Sequence, residues 1–353
     1  MTGLLEKCRS ARRQFSIRAA RPPVPAALAM ALAALLATAC APSAPVPAAP
    51  AAGEPTDLTA VVPVSDSRPD PQLPVTVRSD DGRDVAVTDV TRVVAVNLSG
   101  TLAEIVFSLG LGDNVVGRDV ATTFDAAADL PVVTVAHDLS AEGVLALDPT
   151  LVLADRSIGP PEALQQLRAA GIPVVLVPEA WSLEEVYPRI TAVAEALGVP
   201  DAGRALVERT REQVEQALAA APRRDRPLRI AFLYVRGNAG VYLMGGRGSG
   251  ADSLFEAIGA VDAGSAIGLE RFRPLTSEGL VLAAPDVIVV MSKGLESVGG
   301  PEGLLEVAGV AQTPAGQGRR FVAMDDGALL SFGPRTGAVV TELARQVEAV
   351  TTS

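Results

Sequence analysis

One stretch of this chain occurs twice, and the repeat limits what the whole can fold into. Leu139-Ser140-Ala141-Glu142-Gly143-Val144-Leu145-Ala146-Leu147-Asp148-Pro149 runs into Thr150-Leu151-Val152-Leu153. Leu275-Thr276-Ser277-Glu278-Gly279-Leu280-Val281-Leu282-Ala283-Ala284-Pro285 runs into Asp286-Val287-Ile288-Val289-Val290. The copies align without a gap, Glu142 on Glu278 and Pro149 on Pro285. Each reads as a hydroxyl cap, a carboxylate in the first helical turn, a short apolar helix, a proline stop and a strand. Such a unit buries its apolar face only inside an α/β layer structure. Two copies far apart in the chain predict two related lobes.

The flanking sequence repeats the alternation. Val93–Asn97 reads as a buried strand, Leu102–Leu109 as a helix closed by Gly110, and Val115–Val116, Val132–Val135, Leu151–Leu153 and Val174–Val177 as further strands. Val75–Arg78 and Asp84–Val87 flank the turn Ser79-Asp80-Asp81-Gly82. Ala202–Ala220 is a charged helix with Leu206, Val207, Val214 and Leu218 as its apolar positions, cut at Pro222, and a second α/β series begins at Leu228–Val235. At 353 residues the chain is long for a single core. The expected fold is α/β: two homologous lobes with mainly parallel sheets, an N-terminal lobe over 73–199, a linking helix over 200–222 and a C-terminal lobe over 223–353.

The N-terminus reads as a targeting segment. Basic residues precede the apolar run Ala26–Ala39, which is followed by Cys40. That run is shorter than the roughly 20 residues a membrane span needs, and suits a signal peptide. Small residues before a Cys are similar to a bacterial lipobox, in which the Cys is acylated and becomes the mature N-terminus. Residues 1–39 are therefore expected to be a lipoprotein signal peptide, with Cys40 as the lipidation site; an ordinary secretory signal is the alternative. Arg12-Arg13-Gln14-Phe15 resembles a twin-arginine signal but is separated from the apolar run by Ile17–Pro25. Residues 40–72 are rich in Pro, Ala and Ser and read as a tether. The formal charge of −11 becomes −16 once the net +5 of residues 1–39 is removed, a charge that repels nucleic acid. Cys8 is the only other cysteine, so a chain starting at Cys40 has no disulfide and no cysteine-based metal site.

Several markers together resemble a known family, the binding proteins of ABC importers for siderophores, cobalamin and haem. They are Arg92-Val93-Val94-Ala95-Val96-Asn97, the helix containing Glu104, Leu147-Asp148-Pro149 before a strand, and the matching Ala284-Pro285-Asp286. The resemblance covers about residues 73–350. It implies two α/β lobes joined by a rigid helix, with ligand held between them, and delivery to an ABC permease dimer with a cytoplasmic ATPase. It further implies a monomer on the outer face of the cytoplasmic membrane, with no enzymatic role. Within the family, His137, Tyr234-Val235-Arg236 and Phe332-Gly333-Pro334-Arg335 look like the haem-binding branch. One Glu at this place on each lobe docks against permease arginines in that family, which assigns docking to Glu142 and Glu278; complementing the helix dipoles is the alternative.

The residues support the haem branch in their own right. His137 is the chain's only histidine. It follows the apolar run Pro131–Val135, at the carboxyl end of an expected strand, where open α/β sheets bind ligands. Tyr234 ends the strand Leu228–Val235 of the second lobe. Ferric haem accepts one ligand on each face, and imidazole and phenolate both serve. Arg236 is two residues beyond Tyr234, so on a regular strand it shares that face and could donate to the phenolate oxygen. Arg118 and Arg247 are candidate propionate contacts by position alone. A surface histidine, a packing tyrosine and a solvated arginine are the plainer readings. Gly245-Gly246-Arg247-Gly248-Ser249-Gly250 could cradle an anion or simply cap a helix; it lacks the Lys of a P-loop. No Gly-x-Ser-x-Gly elbow is present, and a single histidine excludes a zinc site built from several. Ferric haem is the expected ligand. A ferric siderophore or cobalamin on the same fold is one alternative, and neither needs both His137 and Tyr234 on iron; a haem sensor or enzyme is another, and a pair filling both axial sites argues against an enzyme.

Intact-mass analysis of membrane-extracted protein should find a chain beginning at an acylated Cys40; an unmodified chain beginning elsewhere would remove the anchor.

Overall fold

A computed structural model describes residues 55–352. The signal peptide, Cys40 and the first part of the expected tether lie outside the described residues. Strands β1 (Val75–Arg78) and β2 (Asp84–Val87) form the expected antiparallel hairpin, with Gly82 at φ 81° in its turn. The N-terminal sheet contains β3 (Val93–Val96) and β4 (Val115–Arg118). A two-stranded hairpin follows, β5 (Thr134–Val135) with β6 (Asp138–Leu139), and then β7 (Leu151–Ala154) and β8 (Val174–Leu176) complete the sheet. Its order is β4-β3-β7-β8, all parallel. After the helix Pro200–Ala220 come β9 (Arg229–Arg236), β10 (Val241–Gly245), β11 (Val261–Asp262), β12 (Phe272–Pro274), β13 (Val287–Met291) and β14 (Phe321–Met324). Here β11, β9, β13 and β14 are parallel neighbours in the order β11-β9-β13-β14, which repeats the first lobe. Antiparallel β10 and β12 extend the edge beside the carboxyl half of β9, so this sheet is mixed.

The sequence repeat is reproduced atom by atom. Ser140 Oγ accepts from Gly143 N at 3.0 Å and Thr276 Oγ1 accepts from Gly279 N at 3.1 Å, capping the helices Ala141–Leu145 and Ser277–Ala283. A left-handed residue precedes the proline in both copies: Ala284 (φ 42°) directly caps its helix, and Asp148 (φ 43°) stands three residues beyond Leu145. Arg92 Nε donates to Leu147 O at 3.0 Å, and Arg229 Nε to Ala283 O at 2.8 Å, so each lobe ties the end of its repeat helix to its own first strand.

Residues 55–72 carry no helix or strand, in keeping with their composition, but from Pro55 onward they lie on the body and do not hang free. Arg209 of the linking helix donates to Pro63 O (2.8 Å) and Val62 O (2.9 Å), Val64 N donates to Ser108 O (2.7 Å), and Gln72 N donates to Gly198 O (2.8 Å). Leu58 is buried. Arginine side chains supply donors to an otherwise unpaired backbone, which is why the ordered body begins before the expected boundary at 72.

One hydrophobic cluster runs through both lobes, from Val93 and Ile105 to Phe232 and Phe332, while Val94–Leu176 and Ala231–Ala315 form separate outer clusters. At the seam, Glu104 of the helix Thr101–Ser108 is fully buried and accepts from Arg335 N (2.8 Å) and Nη2 (2.9 Å). Thr101 donates to Ser331 O beside it. Gly333 is required here: a Cβ would stand 2.7 Å from Thr101 Cγ2 and 3.1 Å from Glu104 Oε1.

Removing one partner of a buried ion pair strands the other's charge. Glu104→Ala should therefore lower stability by about 3–5 kcal/mol in urea unfolding. Breaking the exposed Arg78–Asp84 pair should cost less than about 1 kcal/mol. Similar costs for the two would show that the seam does not depend on the pair.

Candidate ligand-binding cleft

The parallel strands of both lobes end toward one cleft of about 630 Å³. From the N-terminal lobe it is lined by Asn97 after β3, Val120 and Ala121 after β4, Asp155 and Ser157 after β7, and Glu179 and Trp181 after β8. From the C-terminal lobe come Tyr234 and Arg236 on β9, Leu243 on β10, Phe272 on β12, Met291 and Lys293 at the end of β13, and Asp326 after β14. Strand ends are where open α/β sheets leave a crevice, and the facing lobes make two such crevices into one. The volume lies within the usual range for small-molecule sites, roughly 300–1,000 Å³.

His137 reaches this cleft by a different route from the one expected. Pro131–Val135 is not a strand of the main sheet. It bridges β4 only at Arg118–Val132, and Thr134–Val135 then turns back on Asp138–Leu139. His137 sits in that tight turn after Ala136, which takes φ 52°. Its carbonyl accepts from Gly159 N at 2.9 Å, and its side chain is 63% exposed with Nε2 3.5 Å from Asp138 Oδ1. Tyr234 lies in the carboxyl half of β9, half-buried, paired to Leu243 and in edge contact with Phe272 at 6.5 Å between centroids.

Arg236 does share the face of Tyr234. Its guanidinium stacks 4.5 Å from the centre of the Tyr234 ring, and Nη2 donates to Asp326 Oδ1 at 2.7 Å. The expected bond to the phenol oxygen is replaced by this stacking and ion pair. Arg118 and Arg247 do not line the cleft. Arg118 spends its guanidinium on the carbonyls of Thr122 (2.7 Å), Ala128 (3.1 Å), Leu130 (3.2 Å) and Asp119 (3.3 Å), holding the loop after β4. Arg247 is exposed on the outer edge, bridged through its backbone to Glu270. The glycine-rich turn donates Gly248 N and Gly250 N to Asp252, at 2.7 and 3.0 Å, so it caps a helix.

Glu142 and Glu278 are exposed in the first turns of the two repeat helices, beside exposed Leu145 and Leu282 respectively. Several cleft residues had no sequence signal. Arg189 Nη2 binds Asp155 Oδ2 at 2.7 Å, both buried, and Trp181 Nε1 donates to Glu179 at 2.8 Å. Burial pushes the carboxyl of Asp119 up to about 6, against hydrogen bonds from Asn97 N, Thr122 and Ala121 N that favour its anion. Lys293 could have been noticed: it is the only lysine after residue 7. Among the described residues no cluster of three His, Cys, Asp or Glu could hold a metal ion, and no helix is long and apolar enough to cross a membrane.

With two lobes, one linking helix and a cleft at the strand ends in place, the sequence match over residues 94–328 is decisive: the chain belongs to the periplasmic binding protein family. Among solved structures, the heme binding protein HmuT is 42% identical, with a TM-score of 0.79 over 82% of this chain and 95% of that one. Variants of HmuT in which a histidine, a tyrosine or an arginine is replaced by alanine match equally well. The apo periplasmic heme-binding protein RhuT from Roseiflexus sp. RS-1 is 40% identical, with a TM-score of 0.69 over 74% of this chain and all (100%) of that one. The uncharacterized ABC transporter substrate-binding lipoprotein YvrC of Bacillus subtilis is 28% identical over 283 residues, 78% of this chain and 86% of its own length.

Proposed function

We propose that this protein is the extracytoplasmic, lipid-anchored haem-binding component of an ABC importer, which holds ferric haem between its lobes and delivers it to a permease. The observation that carries the reading is that the chain's only histidine and Tyr234 line one cleft from opposite lobes. Ferric iron in a porphyrin takes one axial ligand per face, and imidazole with phenolate is a competent pair. Phe272, Leu243, Val120 and Leu98 give the macrocycle apolar walls. Arg236, stacked on the ligand tyrosine and held by Asp326, places a cation beside the phenolate. The haem-binding relatives, and the histidine, tyrosine and arginine replaced in HmuT, support the same assignment.

Tyr234→Phe removes one oxygen and nearly preserves packing. It should shift the ferric charge-transfer bands and weaken hemin binding by more than the roughly 10–100-fold typical of losing a partner outside the coordination sphere. His137→Ala should change the spin state with a smaller loss of affinity, because an oxygen anion suits ferric iron better than imidazole does. Wild-type spectra and affinity in both variants would overturn the axial assignment.

Glu142 and Glu278, repeat-related and exposed on separate lobes, are the docking residues of this reading. Reversing either to Arg should leave hemin affinity unchanged and reduce uptake into cells or vesicles holding the cognate permease. Unchanged uptake with both reversed would leave them as helix-terminus charges only.

A further inference from the structure

We propose that Lys293 binds a propionate carboxylate of the haem and so fixes which edge of the macrocycle faces the C-terminal lobe; the proposal rests on the haem reading above. Three cationic side chains line the cleft, Arg189, Arg236 and Lys293. Two are already neutralised, Arg189 by Asp155 and Arg236 by Asp326, each at 2.7 Å. Lys293 gives its backbone N–H to Asp326 Oδ2 at 2.9 Å, while its ammonium has no hydrogen-bond or ion-pair partner among the described residues. It is therefore the cleft cation left for a ligand anion.

The opposite lobe carries the opposite sign. Aligned on the repeat, Lys293 follows β13 where Ser157 follows β7, and Asp326 follows β14 where Glu179 follows β8. Glu179 forms no ion pair among the described residues, although Arg189, already bound to Asp155, feels its charge; it accepts from the Trp181 indole at 2.8 Å. A carboxylate-bearing edge turned toward Glu179 would meet a like charge, and turned toward Lys293 an opposite one. The rest of the body, at −16 beyond the targeting segment, repels a ligand with two carboxylates, so one local cation has a large share in admitting it. A chain that uses arginine almost everywhere places its single lysine beyond residue 7 at this position. An ammonium on a flexible stem follows a mobile propionate more freely than a planar guanidinium does.

Hemin and its dimethyl ester, whose propionates carry no charge, separate the possibilities when titrated into the wild type, Lys293→Met and Lys293→Arg. The wild type should bind hemin about tenfold more tightly than the ester, the scale of one charge-assisted hydrogen bond. Lys293→Met should lose that tenfold for hemin, leave the ester unchanged and keep the wild-type ferric spectrum; Lys293→Arg should restore most of the preference. A Met variant that still prefers hemin, or that weakens both ligands equally, overturns the propionate role while the haem reading stands. A wild type that shows no axial-ligand spectrum with either porphyrin overturns the haem reading and this proposal with it.

Discussion

Glu104 and Arg335 lie 231 residues apart in sequence and meet where the lobes share a core. Glu104 is on the helix that leaves β3 just after the cleft residues Asn97 and Ser99; Arg335 is at the foot of the C-terminal helix Thr336–Thr352. A buried pair returns its desolvation cost only when its remaining hydrogen-bonding capacity is used. Here Arg335 also donates to Leu58 O and Gly327 O and lies 5.7 Å from the centre of the Phe124 ring, so most of that capacity is used, although its buried Nε has no partner among the described residues. The lobes, the N-terminal segment at Leu58 and the loop at Gly327 thus share one polar knot inside apolar packing. The cleft walls hang from it. A cleft set by such a knot is largely formed before ligand arrives, which reduces the ordering cost of binding.

The two lobes show how one α/β unit gave rise to two different half-sites. In the repeat register, Asn97 occupies in the first lobe the place that Tyr234 occupies in the second. Asn97 is buried and locked, its N–H on Asp119 and its amide on Ser99. Tyr234 is half-buried because β9 is twice as long as β3, at eight residues against four, and its extra length is flanked by antiparallel β10. The added edge brings Phe272 and Leu243 to the cleft. One pair of strand-end acids, Glu179 and Asp326, by contrast keeps matching places in the two lobes, whereas Asp155 falls on Met291.

The sequence carried most of the fold. The repeat, the hydroxyl caps, the proline stops and the parallel strands all follow from local signals, and apart from the strand expected at Val132–Val135 they lie where expected. What it hid depends on partners remote in the chain. Pro131–Val135 has the β-branched composition of a strand, but periodicity cannot tell which edge it joins, and it forms a hairpin. Arg118 and Arg247 stand at or just past strand ends as ligand-binding arginines do, yet Arg118 is consumed by the carbonyls of the loop after β4. Pro55–Gln72 has a tether's composition, but Arg209 and Arg335 bind its carbonyls. His137 stood out by scarcity and Tyr234 by its place near a strand end, which are local facts; the turn that carries His137 to the cleft left no local signal.

The two proposed iron ligands differ in how firmly they are held. Tyr234 belongs to the second lobe's sheet, with neighbours on both sides of β9 and a guanidinium on its ring. His137 belongs to a turn between two-residue strands, pinned by Gly159 and by Ser140 N donating to Val133 O at 2.9 Å. Ser140 is also the cap of the helix that presents Glu142, so the imidazole and the carboxylate proposed for docking are five residues apart on one small unit. By that measure fewer hydrogen bonds hold the imidazole side than the phenolate side, which is part of the sheet.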